Sequence, residues 1–212
     1  MNEVHCWCVT LDVPPATSAR LYSTLSPDER NRSARLRFAR DRQRFIAARG
    51  ALRDLLGRCL GTRPDAIRFT YNAFGKPELS PEFGSRLRFN LSHSADLALI
   101  AITTDAGIGV DIEYIQPRPE YADIARSLFS AAEVDELERV PSHLYPQAFL
   151  SCWTKREAYL KARGEGLGGS AGTPTGAVTF QPAKGYIGAV AVEGRIEYRI
   201  EQRVAKLEAT PP

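Results

Sequence analysis

The order of the patterned segments restricts the fold most, because it occurs twice along the chain. A strand is predicted over residues 4–11, and after the break at Pro14 and Pro15 the run Ser26-Pro27-Asp28-Glu29 offers a capping serine with proline at the first helical position. Over residues 41–60 the apolar Phe45, Ala48, Leu52, Leu55, Leu56 and Leu60 recur at helical spacing and stop at Gly61. Short strands follow at 67–71, 87–91 and 97–102, with the Pro- and Gly-rich stretch 75–84 as a loop. Residues 103–107 read as the turn of a hairpin leading into a strand at 108–112. The second half repeats the order: a strand ending at Glu113, helical segments at 121–128 and 130–139, a long helix over 146–162, then strands and a frayed tail from Val204. The order recurs although the residues barely do. The expected class is therefore α+β, in two similar halves, residues 1–105 and 106–212.

Composition sets the outer limits. A chain of 212 residues that is 43% hydrophobic can bury a sizeable core. No apolar run approaches the ~20 residues that cross a bilayer, and the start Met-Asn-Glu-Val-His-Cys lacks the basic and apolar regions of a signal peptide. A cytoplasmic protein that does not engage membranes is expected. Of the four cysteines, Cys6 and Cys8 share one strand face as small buried side chains, while Cys59 and Cys152 stand alone in helical segments. No zinc spacing emerges. Charge is uneven: residues 1–106 carry 16 Lys+Arg against 11 Asp+Glu, and residues 107–212 carry 12 against 14. Much of the excess lies in Arg30, Arg32, Arg35, Arg37, Arg40, Arg42 and Arg44, a density that suits a polyanionic ligand and equally a solvated helical face. With a net charge of only +3 and no zinc-finger, RNP or KH signature, nucleic acid is not the expected partner.

Three motifs carry chemistry. In Gly109-Val110-Asp111-Ile112-Glu113, strand alternation sends Val110 and Ile112 to the core and Asp111 and Glu113 to the opposite side. Paired carboxylates there suit a hard divalent cation such as Mg2+; two solvated acids on an open strand face would read the same way. In Trp153-Thr154-Lys155-Arg156-Glu157-Ala158-Tyr159-Leu160-Lys161-Ala162, spacing of four aligns Trp153, Glu157 and Lys161 on one helical face, which is also the pattern of a plain Glu-to-Lys surface pair. In Phe89-Asn90-Leu91-Ser92-His93-Ser94, a strand end opens into a polar turn where backbone N–H groups and a histidine can meet an anion; alone, such a histidine is as well explained by structure. Upstream, Tyr71-Asn72-Ala73-Phe74-Gly75-Lys76-Pro77 sets a lysine and an aromatic ring in a Gly-Pro turn.

Taken in order, Gly-Lys-Pro, Phe-Asn-Leu-Ser-His-Ser, Gly-Val-Asp-Ile-Glu and Trp-Thr-Lys-Arg-Glu-Ala-Tyr-Leu-Lys-Ala resemble the phosphopantetheinyl transferase family, in its long single-chain, surfactin-type branch. The resemblance spans residues 26–168. It implies two pseudo-twofold-related halves with coenzyme A in the cleft between them, and transfer of 4'-phosphopantetheine from coenzyme A to a serine of an apo acyl or peptidyl carrier protein, with release of 3',5'-ADP. It assigns Asp111, Glu113 and Glu157 to Mg2+, with Mn2+ as a substitute, and Arg32, Arg44, Phe74, Gly75, Lys76, Asn90, Ser92, His93 and Lys161 to coenzyme A. Glu157, Lys161, His93 and Asp111 become the catalytic set, with Glu157 as ligand, base or both. Arg156 replaces a lysine common at its position. A chain that had kept the fold and lost catalysis would lack some of the metal acids, and all three are present. The duplicated single chain is expected to be a monomer. Tyr114, Ile115 and Arg118, just after Glu113 and beside Pro117 and Pro119, are expected to form an extended carrier-docking loop at the cleft mouth.

Overall fold

The computed structural model describes residues 3–165, 175–194, 199–205 and 207. Strand β1 (Glu3–Thr10) is followed by helices α1 (Pro15–Thr24), α2 (Pro27–Ala34) and α3 (Ala39–Leu60), then by a small hairpin of β2 (Phe69–Tyr71) and β3 (Pro77–Leu79). Strands β4 (Leu87–Ser94), β5 (Leu97–Thr104) and β6 (Ile108–Tyr114) lead to α4 (Tyr121–Leu128), α5 (Ala131–Glu138) and α6 (Tyr145–Arg163). The chain closes with β7 (Val178–Phe180), β8 (Tyr186–Val192) and β9 (Arg199–Val204). The class is mixed α+β, as the order of elements implies. The expected frayed tail lies largely outside the described residues, although Val204 itself ends β9.

Four layers result. One sheet has the order β4-β5-β1-β9 and the other β6-β8-β7. Strand β5 is apolar on both faces: Ala98, Ile100 and Ile102 pack with Ala47, Ala51 and Leu52 of α3, while Leu97, Leu99 and Ala101 meet Ile108, Val110 and Ile112 of β6. The two sheets are thus back to back. On the far side of the second sheet, Ala158 and Ala162 of α6 lie against Ala189 and Ala191 of β8. Cys6 is buried in the layer between the sheets, where burial raises its thiol pKa to about 12 and keeps it protonated.

The turn at 103–107 is not that of a hairpin. Both edges of β5 are already taken, by β4 and by β1, so the chain must leave that sheet after Thr104. It crosses through Asp105, at φ +71, and β6 pairs antiparallel with β8, Asp111 opposite Ala189. The hairpin lies one step earlier, between β4 and β5, turning at Ala95 with φ +48. The Pro14-Pro15 break is also more than a break: Pro15 occupies the first turn of α1, where a missing N–H costs nothing.

Helix α2 begins as its sequence indicates, and the residue that starts it also anchors it. Glu29 accepts a hydrogen bond from the Ser26 backbone at 3.0 Å, closing the first turn. Its carboxylate, 2% exposed, also takes Arg53 Nε at 2.6 Å and Arg49 Nε at 2.7 Å, both from α3. Arg53 is satisfied further by the carbonyls of Pro64 and Ile67, each at 3.0 Å. Removing one partner from such a set costs about 3–5 kcal/mol because the other charge stays buried.

Helix α6 approaches β6 closely enough that only glycine fits beneath it. A Cβ on Gly109 would lie 2.0 Å from the Ala158 carbonyl oxygen and 2.3 Å from the Ala162 nitrogen, and one on Gly107 2.5 Å from the Ala162 oxygen. The atoms nearest to such a Cβ on Gly109 are backbone atoms, which cannot rotate away as a side chain can. Gly109→Ala should cost about 3 kcal/mol as an overpacked core, lowering the melting temperature by about 6–12 °C for a chain of this size. Differential scanning calorimetry checks this, and an unchanged melting temperature would contradict the close approach.

Candidate active site

The two halves meet where β4, an edge of the first sheet, lies beside β6, an edge of the second. Side chains make the join. Strand alternation turns Asn90, Ser92 and Ser94 to one face of β4, away from the α3 face that holds Phe89. Asn90 Oδ1 accepts from the Val110 backbone at 2.9 Å, Ser92 Oγ donates to Asp111 Oδ1 at 2.8 Å, and Ser94 Oγ donates to Glu113 Oε2 at 2.8 Å. Ser94 also accepts from the Tyr114 N–H at 3.1 Å. Asn90, at 6% exposed, works as a seam residue, and Ser92 is held among the carboxylates.

Asp111 does not stand on an open strand face. It is 3% exposed, because α6 covers that side of β6 and brings Glu157 and Lys161 over it. Lys161 Nζ donates to Asp111 Oδ1 at 2.7 Å and to Ser92 Oγ at 3.3 Å, and stands 3.8 Å from Glu157 Oε2. Burial raises the Glu157 carboxyl pKa above its ordinary value; Lys161 opposes the shift and Asp111 adds to it. Burial likewise raises Glu113, with the Ser94 hydrogen bond acting against it. Trp153, third on the expected face, packs instead into the α4–α6 cluster and stacks on Phe149 at 6.2 Å.

The donor set fits a hard divalent cation. Asp111 Oδ2 and Glu157 Oε1 are buried acceptors without a hydrogen-bond partner, a costly state for carboxylate oxygens that a cation relieves. Asp111, Glu113 and Glu157 do not draw ligand atoms within 4.8 Å of one another; among the described residues Glu3, His5 and Glu201 do so, on an exposed sheet surface. Among these three acids, of which Asp111 is buried and Glu113 and Glu157 half-buried, the ammonium of Lys161 lies against Asp111 and near Glu157.

A cationic flank adjoins the acids. His93 reaches solvent at the end of β4, and its pKa is lowered by partial burial first, then by the charges of Lys161, Arg32 and Arg44. Arg32 is exposed over the Phe45 ring at 5.6 Å. Arg44 is committed elsewhere: it grips Asp12 in a fork at 2.7 and 2.8 Å and donates to the Ala95 carbonyl at 2.7 Å, bracing the turn after His93. Phe74, 67% exposed, and Gly75, at φ +79, sit at the tip of the β2–β3 hairpin. Lys76 points away from solvent, its ammonium on three carbonyls of the second half. Sequence reasoning missed Ser94 and Asn72; the spacing of Ser92 and Ser94 on one strand face was the signal for the first.

Comparison with known proteins decides what this arrangement belongs to. A family model described as "4'-phosphopantetheinyl transferase, N-terminal" matches residues 15–105, and the "4'-phosphopantetheinyl transferase superfamily" model matches residues 107–203. The chain belongs to the 4'-phosphopantetheinyl transferase superfamily. The protein is 42% identical over 167 residues to 4'-phosphopantetheinyl transferase HetI of Nostoc sp., covering 78% of this chain and 70% of that protein. It is 39% identical over 145 residues to the putative 4'-phosphopantetheinyl transferase slr0495 of Synechocystis sp., 68% of this chain and 59% of the relative. It is 38% identical over 112 residues to 4'-phosphopantetheinyl transferase AcpT of Salmonella typhi, 53% of this chain and 56% of the relative. This chain therefore spans less than two thirds of the latter two. Members of the family use coenzyme A and act on carrier proteins, and transfer of phosphopantetheine is the function class of this phosphopantetheinyl transferase chain.

A depressed His93 pKa has a definite sign in folding. The unfolded chain takes up a proton near pH 6.5, before the native state does, so this group lowers stability as pH falls from about 6.5 towards the native pKa. A histidine NMR titration should place His93 below its ordinary value, and adding 3',5'-ADP should raise that pKa as phosphate offsets the surrounding cations. A titration unmoved by 3',5'-ADP would take His93 out of the anion site.

Proposed function

We propose that this phosphopantetheinyl transferase moves 4'-phosphopantetheine from coenzyme A to a carrier-protein serine at the buried acid cluster of β6 and α6. The observation that carries the reading is the pair of partnerless buried oxygens, Asp111 Oδ2 and Glu157 Oε1, beside a flank of cations. Residues 1–105 form the phosphate-gripping half and residues 106–212 the acidic half, with coenzyme A in the cleft between them. Strand β9 is the exception, since it crosses to pair in parallel with β1.

Asp111, Glu113 and Glu157 hold Mg2+ or Mn2+, which when bound supplies charge neutralisation at the pyrophosphate. The chain's own groups do the rest. Arg32, His93 and Lys161 bind phosphate oxygens, while Phe74 and Gly75 present the hairpin tip to the nucleotide. Ser92, Asn90 and Arg44 hold these groups in place. The serine oxygen attacks the β-phosphorus, the new O–P bond forms as the bond to 3',5'-ADP breaks, and Lys161 offsets charge on the leaving group. The hydroxyl proton passes to Glu157, the carboxylate on α6 beside Lys161.

The presence of both matched halves in one chain supports placement in the surfactin-type branch. It also supports a monomer, because both walls of the cleft come from the same polypeptide. Free thiols at Cys6, Cys8, Cys59 and Cys152 fit a reducing, cytoplasmic setting. Among the described residues, no helix is long and apolar enough to cross a membrane. For the carrier, Tyr114 is 42% exposed, and a cavity of about 520 Å³ is bounded by Pro117, Arg118, Tyr121 and Tyr145. Ile115 packs partly into the α4–α6 cluster, so Tyr114 and Arg118 are the docking residues rather than Ile115.

Incubation with coenzyme A, Mg2+ and an apo carrier should increase the carrier's mass by one phosphopantetheine, and chelation should abolish the gain. Asp111→Asn should cut turnover at least ~100-fold, about 2.7 kcal/mol of transition-state stabilisation. Full transfer by the chelated enzyme would overturn the metal assignment. Arg118→Glu should raise KM for an acidic carrier several-fold and leave KM for coenzyme A unchanged; a normal carrier KM would move the docking surface elsewhere.

A further inference from the structure

The β2–β3 hairpin tip holds a lysine where a phosphate-binding family motif is expected, yet its ammonium faces the protein. Lys76 Nζ donates to the Lys161 carbonyl at 2.5 Å, the Ile108 carbonyl at 3.0 Å and the Ala162 carbonyl at 3.2 Å. An ammonium has three donors, and all three are used. Lys161 and Ala162 lie in the last turn of α6, where carbonyls run short of partners along the helix and favour a cation; the Lys161 oxygen also accepts from the Gly164 N–H at 3.2 Å. Ile108 opens β6, three residues before Asp111. Burial lowers the lysine pKa, with Glu78 and Glu193 opposing the shift, as for a charge largely withdrawn from water.

Asn72 completes the arrangement. Its Oδ1 accepts from the Phe74 and Lys76 backbones, each at 2.9 Å, which shapes the tip, and its Nδ2 donates to the Gly164 carbonyl at 2.9 Å, just past the end of α6. One short turn of the first half therefore holds the end of the helix that carries Glu157 and Lys161, and the start of the strand that carries Asp111.

We propose that Lys76 and Asn72 are positioning residues, a clamp across the two halves that fixes the seating of α6 on β6 and so sets the Lys161–Asp111–Glu157 geometry, rather than ligands of a coenzyme A phosphate. The catalytic consequence rests on the transfer reading above. The clamp itself stands on the hydrogen bonds. The carbonyls engaged lie on the same turn as Lys161 and directly upstream of Asp111, so a shift of α6 along β6 changes the 2.7 Å contact between them.

The test uses Lys76→Met, Lys76→Arg and Asn72→Asp in the full chain. Asn72→Asp keeps an Oδ1 that can shape the tip, but it replaces the donor to Gly164 with a negatively charged carboxylate oxygen that repels that carbonyl. Expected for each variant is a fall in kcat of about tenfold or more for Lys76 and about threefold or more for Asn72, with KM for coenzyme A within about threefold of wild type. Mn2+ binding, read by electron paramagnetic resonance without substrates, should weaken several-fold, and the last-turn amides of α6 should exchange faster. Arginine should not rescue, because a planar guanidinium cannot point three donors at carbonyls packed around an ammonium. The proposal is overturned if Lys76→Arg is normal while Lys76→Met raises KM for coenzyme A tenfold at unchanged kcat and Mn2+ affinity, which marks a phosphate ligand. If Lys76→Met does not fold, Asn72→Asp decides, and wild-type kcat and exchange in that variant overturn the clamp. A wild-type protein that transfers nothing defeats the transfer reading, while amide exchange still reports on the clamp.

Discussion

The seam between β4 and β6 is the constraint on which the rest of the structure depends. Two sheet edges meet there without forming a common ladder, so their polar groups have to be met one at a time by side chains. Asn90 meets the Val110 N–H, Ser94 meets the Tyr114 N–H and Glu113, and Ser92 meets Asp111. Short polar side chains at alternate positions of β4 serve as an edge-binding strip. A bulkier apolar residue at Asn90 would leave the buried Val110 N–H without this partner, at a cost of about 1–3 kcal/mol. The same strip carries the site, since two of the acids it satisfies are proposed metal ligands.

The seating of α6 follows from this seam and from small residues. Gly107 and Gly109 on β6 and Ala158 and Ala162 on α6 allow a close approach, and that approach takes the Lys161 ammonium to the Asp111 carboxylate. Sequence, packing and electrostatics are linked at that point. Glycine on the strand permits a close helix, the close helix excludes water, and exclusion of water raises the pKa of Glu113 and Glu157. A looser packing would leave solvated acids of ordinary acidity on an open strand face.

Much of this was legible in the sequence, and the parts that were not share a cause. Helices α2, α3 and α6 announce themselves by a cap, by apolar spacing and by length. The acids of β6 follow from strand alternation, and the α6 face from a spacing of four. What sequence could not show was which strand pairs with which. The run from Leu97 through Ile112 looks like two strands and a turn, and only the occupancy of both edges of β5 excludes the hairpin. Burial of Asp111 was hidden for the same reason, because it depends on a helix some forty residues away in the chain. Residue type suggested that Arg44 and Lys76 meet phosphate, but the structure commits both to protein acceptors, one on Asp12 and Ala95 and the other on the end of α6.

Charge balance explains why the cluster is stable before any ligand arrives. Among the described residues, Asp111, Glu113 and Glu157 face the ammonium of Lys161, while the charges of Arg118 and Arg156 act on Glu113 and Glu157 respectively. Burying like charges together is unfavourable unless some are neutralised or paired. Here Lys161 pairs with Asp111, Ser94 holds Glu113, and burial shifts Glu113 and Glu157 towards their protonated forms. A divalent cation on Asp111 and Glu157 would take over the role of the lysine, and the freed ammonium remains on a flexible stem within reach of an incoming pyrophosphate. On the proposed transfer reading, the lysine that balances the free protein's acids and a cation on those acids would both act on the same breaking bond.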